Sequence, residues 1–121
     1  MSEAASLARA RAAAAAAEAK AAEQIVVLDL REQTLVTDFF VICTATSRVH
    51  IRAIREGIAE EMDRAKHRLF GREGNEQSQW VLLDYGDVIV HLLTDEMRAF
   101  YKLERMWANA PRVEVLGGAA G

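Results

Sequence analysis

Hydrophobic positions recur along this chain with two different periods, and the change of period marks where strands give way to helices. The β-branched run at residues 25–30 and the almost continuously apolar run at 37–44 predict two strands, the second covered on both faces. Ser47 has the character of a helix N-cap, and helical spacing continues from there to Gly71. The apolar stripe of this helix consists of Ile51, Ile54, Ile58, Met62, Ala65 and Leu69.

The C-terminal half of the chain predicts a hairpin followed by a helix. Residues 80–84 and 87–93 read as two strands around a two-residue turn, Tyr85-Gly86. Thr94 caps the last helix, whose apolar side chains are Met97, Phe100, Leu103 and Trp107. The element order β-β-α-β-β-α predicts an α/β fold of the α+β kind, in which one mixed sheet and its flanking helices form a single domain.

The first 23 residues differ from the rest in composition. Thirteen of the 22 alanines lie within the first 24 positions, so this segment has high helix propensity but little apolar area to bury. We expect residues 1–23 to form a loosely docked helix, residues 24–115 to form the functional domain, and residues 116–121 to form a flexible Gly/Ala tail.

The two faces of the predicted hairpin have different compositions. Around a Tyr85-Gly86 turn, Asp84 faces Asp87 and Trp80 faces His91. One face is wholly aliphatic and predicts core: Val81, Leu83, Val88, Val90 and Leu92. The other face carries Trp80, Leu82, Asp84, Asp87, Ile89 and His91, a mixture typical of an interface with an aromatic anchor and a charged rim. Coverage of this face by a second helix layer is the alternative, and a one-residue slip in the turn would exchange the faces.

Charge is distributed unevenly although the formal net charge is only −3. Residues 73–97 contain six acidic side chains and no Lys or Arg, whereas residues 48–72 contain seven basic and four acidic side chains. This asymmetry favours a basic partner for the hairpin half, and an acidic surface that is merely solvated is the alternative. With a pI near 5.6, the molecule is not a general binder of nucleic acid.

Composition excludes several classes of site. One cysteine and three histidines cannot build a structural zinc site of the usual kind or an intrachain disulfide, so we expect neither a metal nor a cofactor. Cys43 lies within an apolar run and is interpreted as a small buried hydrophobe. No run of 18 apolar residues is present, so no transmembrane helix or membrane partner is expected, and the expected compartment is the cytoplasm.

Four ordered blocks resemble the ribosomal silencing factor family, also called Iojap-like. They are residues 38–47 (DFFVICTATS), 73–74 (EG), 80–91 (WVLLDYGDVIVH) and 98–107 (RAFYKLERMW), so the resemblance runs through nearly the whole core. It implies a nucleotidyltransferase-like fold and a translational repressor that is not an enzyme. It further implies binding to the large ribosomal subunit through its ribosomal protein fourteen, which blocks joining of the small subunit when nutrients are scarce. Assembly of the large subunit and homodimer formation are also implied.

A phosphate-transfer enzyme or nucleotide-binding protein is the main alternative function. Residues 44–47 precede a helix N-terminus, where anions bind favourably, but the loop lacks glycine and is explained by capping. Asp84 and Asp87 are spaced as a turn pair, not as metal ligands alternating on one strand. We therefore predict no catalytic residue and a partner-binding surface, with contact to ribosomal RNA secondary. The predicted binding residues are Trp80, Leu82, Asp84, Tyr85, Asp87, Ile89 and His91.

Overall fold

Four helices and six strands follow one another in the computed structural model, which describes residues 3–75 and 77–114. In chain order they are α1 (Glu3–Ala19), β1 (Glu23–Asp29), β2 (Phe39–Ala45), α2 (Arg48–Arg64), β3 (Gly71–Glu73), β4 (Trp80–Asp84), β5 (Val88–Thr94), α3 (Asp95–Tyr101), α4 (Leu103–Met106) and β6 (Arg112–Val113). The strands form one sheet in the order β3-β4-β5-β2-β1-β6. Because β2 and β5 run parallel and the other described neighbours run antiparallel, the sheet is mixed, as predicted.

Helix α2 covers one face of the sheet with the stripe that its spacing predicts. Its four buried side chains are Ile51, Ile54, Ile58 and Met62. The Ser47 hydroxyl accepts a hydrogen bond from the His50 N–H at 3.0 Å, which confirms the predicted N-cap. The helix ends at Arg64 and not at Gly71, since Lys66 adopts a left-handed backbone with φ of 62°. Ala65 and Leu69 therefore lie outside the helix and are exposed.

Helix α1 packs closely on α2 and β2, which corrects the loose docking expected from its composition. Ala10, Ala13, Ala14 and Ala17 are fully buried in the same core cluster as the α2 stripe. Small side chains allow two helices to approach closely, so a helix poor in apolar area still fills the space above the sheet. Arg9 adds two polar contacts to this packing. Its Nε donates a hydrogen bond to Nδ1 of His67 at 2.9 Å, and its guanidinium forms an ion pair with Asp87.

Helices α3 and α4 lie over the opposite face of the sheet. There Leu28, Ile42 and Leu93 of the strands pack with Leu103 of α4. The predicted Thr94 cap is present, but the single helix expected after it is broken at Lys102, whose φ is 50°. Four residues before Lys102, Arg98 is buried. It donates to the Thr44 hydroxyl at 2.9 Å and to the Glu104 carboxylate at 2.7 Å.

Two short strands at the edges of the sheet were not predicted. Strand β3 pairs with β4 over three residues, and β6 pairs with β1 over two. The described helices include none that is long and apolar enough to cross a bilayer. The predicted flexible tail at 116–121 lies outside the described residues.

Candidate functional site

The side chains of β4 alternate between the two sheet faces, and this places Trp80 where the sequence predicts. Trp80, Leu82 and Asp84 point to the face that carries α3 and α4, and the register sets Ile89 and His91 of β5 on the same face. Five of the seven predicted binding residues therefore share one surface. Trp80, Leu82 and Asp84 are partly exposed on it, whereas His91 and Ile89 are buried.

Tyr85 and Asp87 do not belong to that surface, because the hairpin turn lies one residue later than predicted. The turn residues are Gly86 and Asp87, and the Tyr85 N–H donates to the Val88 carbonyl at 2.9 Å. Gly86 has a φ of 88°, in keeping with hairpin turns that place glycine first. Tyr85 is buried in the core on the α1–α2 side, and burial raises the pKa of its phenol.

The predicted cross-strand pairs change with the turn, whereas the predicted faces do not. Trp80 lies opposite Leu93 and not opposite His91, which pairs with Leu82. The exchange of faces expected for a one-residue slip in the turn does not occur, because moving the turn by one residue moves each pairing by two positions, which keeps the strand side chains on their faces. Asp87 instead forms an ion pair with Arg9 of α1, on the other side of the sheet from Asp84.

A hydrogen bond fixes Trp80 against His91. The indole Nε1 donates to His91 Nδ1 at 3.1 Å, so the neutral imidazole carries its proton on Nε2. Nε2 is buried and has no hydrogen-bond partner among the described residues, and burial lowers the pKa of His91 to about 4. The edge of the Phe40 ring also meets the imidazole, with ring centroids 4.5 Å apart. His91 is therefore a neutral buried group that positions the indole.

Exposed aromatic side chains of α3 extend this surface. The Tyr101 ring lies 4.9 Å from that of Trp80, and the Phe100 ring lies 5.0 Å from that of Tyr101 (centroid distances). Phe100 is 77 % exposed and Tyr101 is 49 % exposed. Sequence reasoning missed both, since helical spacing made Phe100 a core residue and the break at Lys102 was not foreseen. Three adjacent aromatic rings of rising exposure are unusual on a surface without a binding role.

Carboxylates border this surface along the outer edge of the sheet. Glu73 of β3 lies opposite Leu82, and alternation places its side chain on the Trp80 face, where Asp84 also lies. Asp95 and Glu96 are exposed at the start of α3, and Lys102 and Arg105 are exposed after its end. The β3–β4 part of the Trp80 face therefore carries two carboxylates, which favours a basic partner there.

The residues weighed above for phosphate-transfer chemistry have the following positions in the described parts of the chain. The described residues contain no group of three or more His, Cys, Asp or Glu side chains that could hold a metal. Asp84 and Asp87 contact different sides of the molecule, and the Thr44 and Ser47 hydroxyls are engaged by Arg98 and the α2 backbone. Cys43 is buried as predicted, and burial raises the pKa of its thiol to about 12.

Known proteins with similar sequences have ribosome-related names. The family model described as "Ribosomal silencing factor during starvation" matches residues 3–119. The chain is 40 % identical over 98 residues to the ribosomal silencing factor of Halalkalibacterium halodurans, which covers 81 % of this chain and 84 % of that protein. It is 37 % identical over 96 residues to the Bacillus subtilis factor, covering 79 % and 81 %. Protein Iojap, chloroplastic, from Zea mays is 37 % identical over 94 residues, covering 78 % of this chain and 41 % of that protein.

Two solved structures share the fold. A crystal structure from Bacillus halodurans superposes with a TM-score of 0.75 at 38 % identity, covering 85 % of this chain and 93 % of that one. An X-ray structure from Chromobacterium violaceum superposes with a TM-score of 0.81 at 27 % identity, covering 93 % of both chains. Since the family model extends from α1 to beyond β6 and the two bacterial relatives align over most of their own length, the chain belongs to the ribosomal silencing factor family.

Proposed function

We propose that this protein represses translation by binding the large ribosomal subunit through ribosomal protein fourteen, and that it thereby blocks joining of the small subunit when nutrients are limiting. The observation that carries the proposal is Trp80, held partly exposed by its hydrogen bond to His91 beside an acidic rim. An aromatic anchor in a partly desolvated surface with a charged border is typical of protein–protein interfaces. Membership of the ribosomal silencing factor family supports the ribosome as the target.

Each part of the surface has a distinct role in this proposal. Trp80 is the anchor, and His91 fixes its orientation. Leu82 offers apolar area beside the indole, while Asp84 and Glu73 supply charge that attracts a basic ribosomal protein.

Two of the predicted binding residues are given other roles, and one is retained with a smaller part. Tyr85 and Asp87 support the opposite face of the sheet, and we no longer assign them to the interface. Ile89 is buried and closes the surface from beneath. The exposed rings of Phe100 and Tyr101 take the places of the two residues that are reassigned.

Repression by this route requires occupancy of a surface and no covalent step. A bound protein at the joining face excludes the small subunit by volume, so its strength depends on affinity and concentration. Homodimer formation through the same exposed aromatic rings would compete with the ribosome by mass action. A role in large-subunit assembly belongs to the same proposal, since the same face is accessible on a free subunit. We propose the cytoplasm as the compartment, although the relative from Zea mays is named chloroplastic.

Sedimentation with separated ribosomal subunits tests the proposal. The protein should pellet with the large subunit alone and should reduce formation of joined ribosomes from purified subunits. Trp80→Ala should weaken large-subunit binding about 30-fold, or about 2 kcal/mol, as loss of an aromatic anchor does. Phe70→Ala is the matched control, since Phe70 is a 62 % exposed aromatic next to Tyr85 on the α1–α2 side.

Thermal stability separates an interface role from a core role for Trp80. If Trp80→Ala lowers the melting temperature sharply while the remaining folded protein binds normally, Trp80 belongs to the core and the interface assignment is wrong. Pelleting with neither subunit would refute the proposed target.

A further inference from the structure

Four arginine side chains converge on one shallow cleft at the edge of the sheet, on the opposite face from Trp80. Arg48, Arg52 and Arg55 come from α2, and Arg72 comes from β3. This cleft plays no part in the proposed interface with ribosomal protein fourteen, and its chemistry is the reverse, since it is basic where the Trp80 rim is acidic.

Helical and strand periodicity together build the cluster. The three arginines of α2 are spaced four and three residues apart, so they share one side of the helix. Arg72 lies opposite Leu83, whose side chain is in the α1–α2 core, so Arg72 also faces α2. Its neighbour Glu73 lies opposite Leu82 and points to the other face. Alternation along β3 therefore brings a guanidinium into the cleft and takes the adjacent carboxylate out of it.

Within residues 3–75 and 77–114, ion pairs are found for only part of this cluster. Arg52 pairs with Glu56 at 3.2 Å, and both side chains are more than half exposed. Arg48 donates to the neutral amide oxygen of Gln77 at 3.5 Å. In the described parts of the chain, no ion pair is found for Arg55 or Arg72. Like charges at helical spacing repel one another, so this arrangement costs stability unless an anion is bound.

We propose that this arginine cleft binds the phosphate backbone of RNA. A guanidinium presents several N–H donors in one plane and binds phosphate oxygens in pairs, which makes arginine the preferred residue for phosphate recognition. Arg48 to Arg55 extends about 10 Å along the helix axis, longer than a single phosphate group but suited to the successive phosphates of a strand. Since the whole chain has a net charge of −3, the binding is local to the cleft.

The position of the cleft allows RNA and protein to be contacted at once. It lies on one side of the β3–β4 edge, and Trp80 and Asp84 lie on the other side of the same edge. On a surface made of both ribosomal protein and RNA, the acidic side of this edge would contact basic protein, and the arginine cleft would contact RNA phosphates. The inference extends the proposed function, but the binding of RNA by the cleft does not depend on it.

Fluorescence anisotropy with a labelled RNA hairpin of ~20 nucleotides tests the inference in about 50 mM salt. The full-length protein should bind, and the variant Arg48→Ala/Arg55→Ala/Arg72→Ala should bind at least 10-fold more weakly. The slope of log K against log salt should also fall by about 2–3, since roughly one unit is lost for each phosphate contact. The matched control is Arg11→Ala/Arg64→Ala/Arg112→Ala, which removes the same charge at exposed positions elsewhere and should change binding less than twofold.

Several outcomes would overturn the inference. One is that the unmodified protein does not bind the hairpin. Another is that the two triple variants lose equal hairpin affinity, which would indicate an effect of net charge. Calorimetry with inorganic tripolyphosphate provides another arm: tight binding that the cleft variant loses, without hairpin binding, would reassign the cleft to a free polyphosphate. Melting curves check that both triple variants fold.

Trp80→Ala separates the two proposals. It should bind the hairpin as the unmodified protein does while binding the large subunit more weakly. Failure of the unmodified protein to pellet with large subunits would refute the proposed function and leave the RNA result standing.

Discussion

The two faces of the sheet are closed by different chemistry. On one face, α1 and α2 pack alanine and aliphatic side chains onto the sheet, and the core positions of β2 and β5 there are fully buried. On the other face, α3 and α4 leave Trp80 and Phe40 partly exposed, and the buried Nε2 of His91 has no hydrogen-bond partner among the described residues. Close aliphatic packing stabilises a fold, whereas partly exposed aromatic rings keep area available for a partner. The comparison leads us to expect more stability from the α1–α2 face and to place the proposed interface on the other.

Adjacent phenylalanines of β2 give the strongest test of this comparison. Phe39 is buried among the side chains of the α1–α2 face, and Phe40 is partly exposed on the other face. Phe39→Ala should lower the free energy of unfolding by about 3–5 kcal/mol, and Phe40→Ala by roughly half as much. Urea denaturation of both variants measures the difference. Equal losses would mean that the two faces contribute equally to stability.

Acid should destabilise the fold because His91 is buried in its neutral form. Burial lowers the pKa of folded His91 from 6.5 to about 4, so between these values the unfolded chain binds a proton that the folded chain does not. Stability therefore falls as the pH drops through this window, by roughly 3 kcal/mol in total. Urea denaturation at about pH 7, 5.5 and 4 should show this slope, and His91→Asn, which keeps an acceptor for Trp80, should flatten it. An unchanged slope in the variant would assign it to other groups.

The polar contacts of Arg9 should contribute less to stability than the packing of the buried alanines of α1. Arg9→Ala should cost about 1–2 kcal/mol, because it leaves Asp87 partly buried without its guanidinium. Burial and then the Arg9 charge lower the pKa of His67, so the same variant should raise that pKa in an NMR titration. Arg11→Ala, on the exposed side of the same helix, should change stability by less than about 0.5 kcal/mol. An unchanged His67 pKa in Arg9→Ala would contradict the contact between Arg9 and His67.

The smallest effect is expected on association kinetics. Glu73→Gln with Asp84→Asn should slow binding to large subunits about two- to threefold at low salt and flatten its salt dependence, because rim charges act mainly on encounter. The Gly86 N–H donates a hydrogen bond to the Asp84 carboxylate at 2.7 Å, and an Asn side chain at position 84 keeps an oxygen that can accept it. Glu60→Gln with Glu61→Gln on α2 is the charge-matched control. A larger loss in the control would place α2, and not the hairpin, against the partner.

Periodicity predicted the elements that bury a complete side-chain pattern. The α2 stripe was predicted residue by residue as far as Met62, since an amphipathic helix must bury one face. The faces of the strand residues were also correct although the turn and the side of Asp87 were wrong, because only a shift by an odd number of positions exchanges the faces. Family resemblance was confirmed by the match over residues 3–119.

Features that depend on tertiary contacts could not be predicted from local patterns. The break at Lys102 needs a left-handed backbone in a non-glycine residue, and it is accompanied by the buried Arg98–Glu104 pair, two residues with no local signal. Strands β3 and β6 are too short to show alternation. Close docking of α1 depends on the shape of the groove above the sheet and not on its hydrophobicity.

The parallel pairing of β2 with β5 determines when this chain can fold during its own synthesis. Each β2 residue pairs with a residue 49 positions later, from Phe39 with Val88 to Ala45 with Thr94. At elongation rates of about 5–20 residues per second, β2 leaves the synthesis machinery roughly 2–10 s before its central partner. During that interval the strand has an unpaired, apolar edge, which favours aggregation. A nascent chain that stops before β5 should therefore be sensitive to protease, and protection should arise abruptly once residue 94 is free.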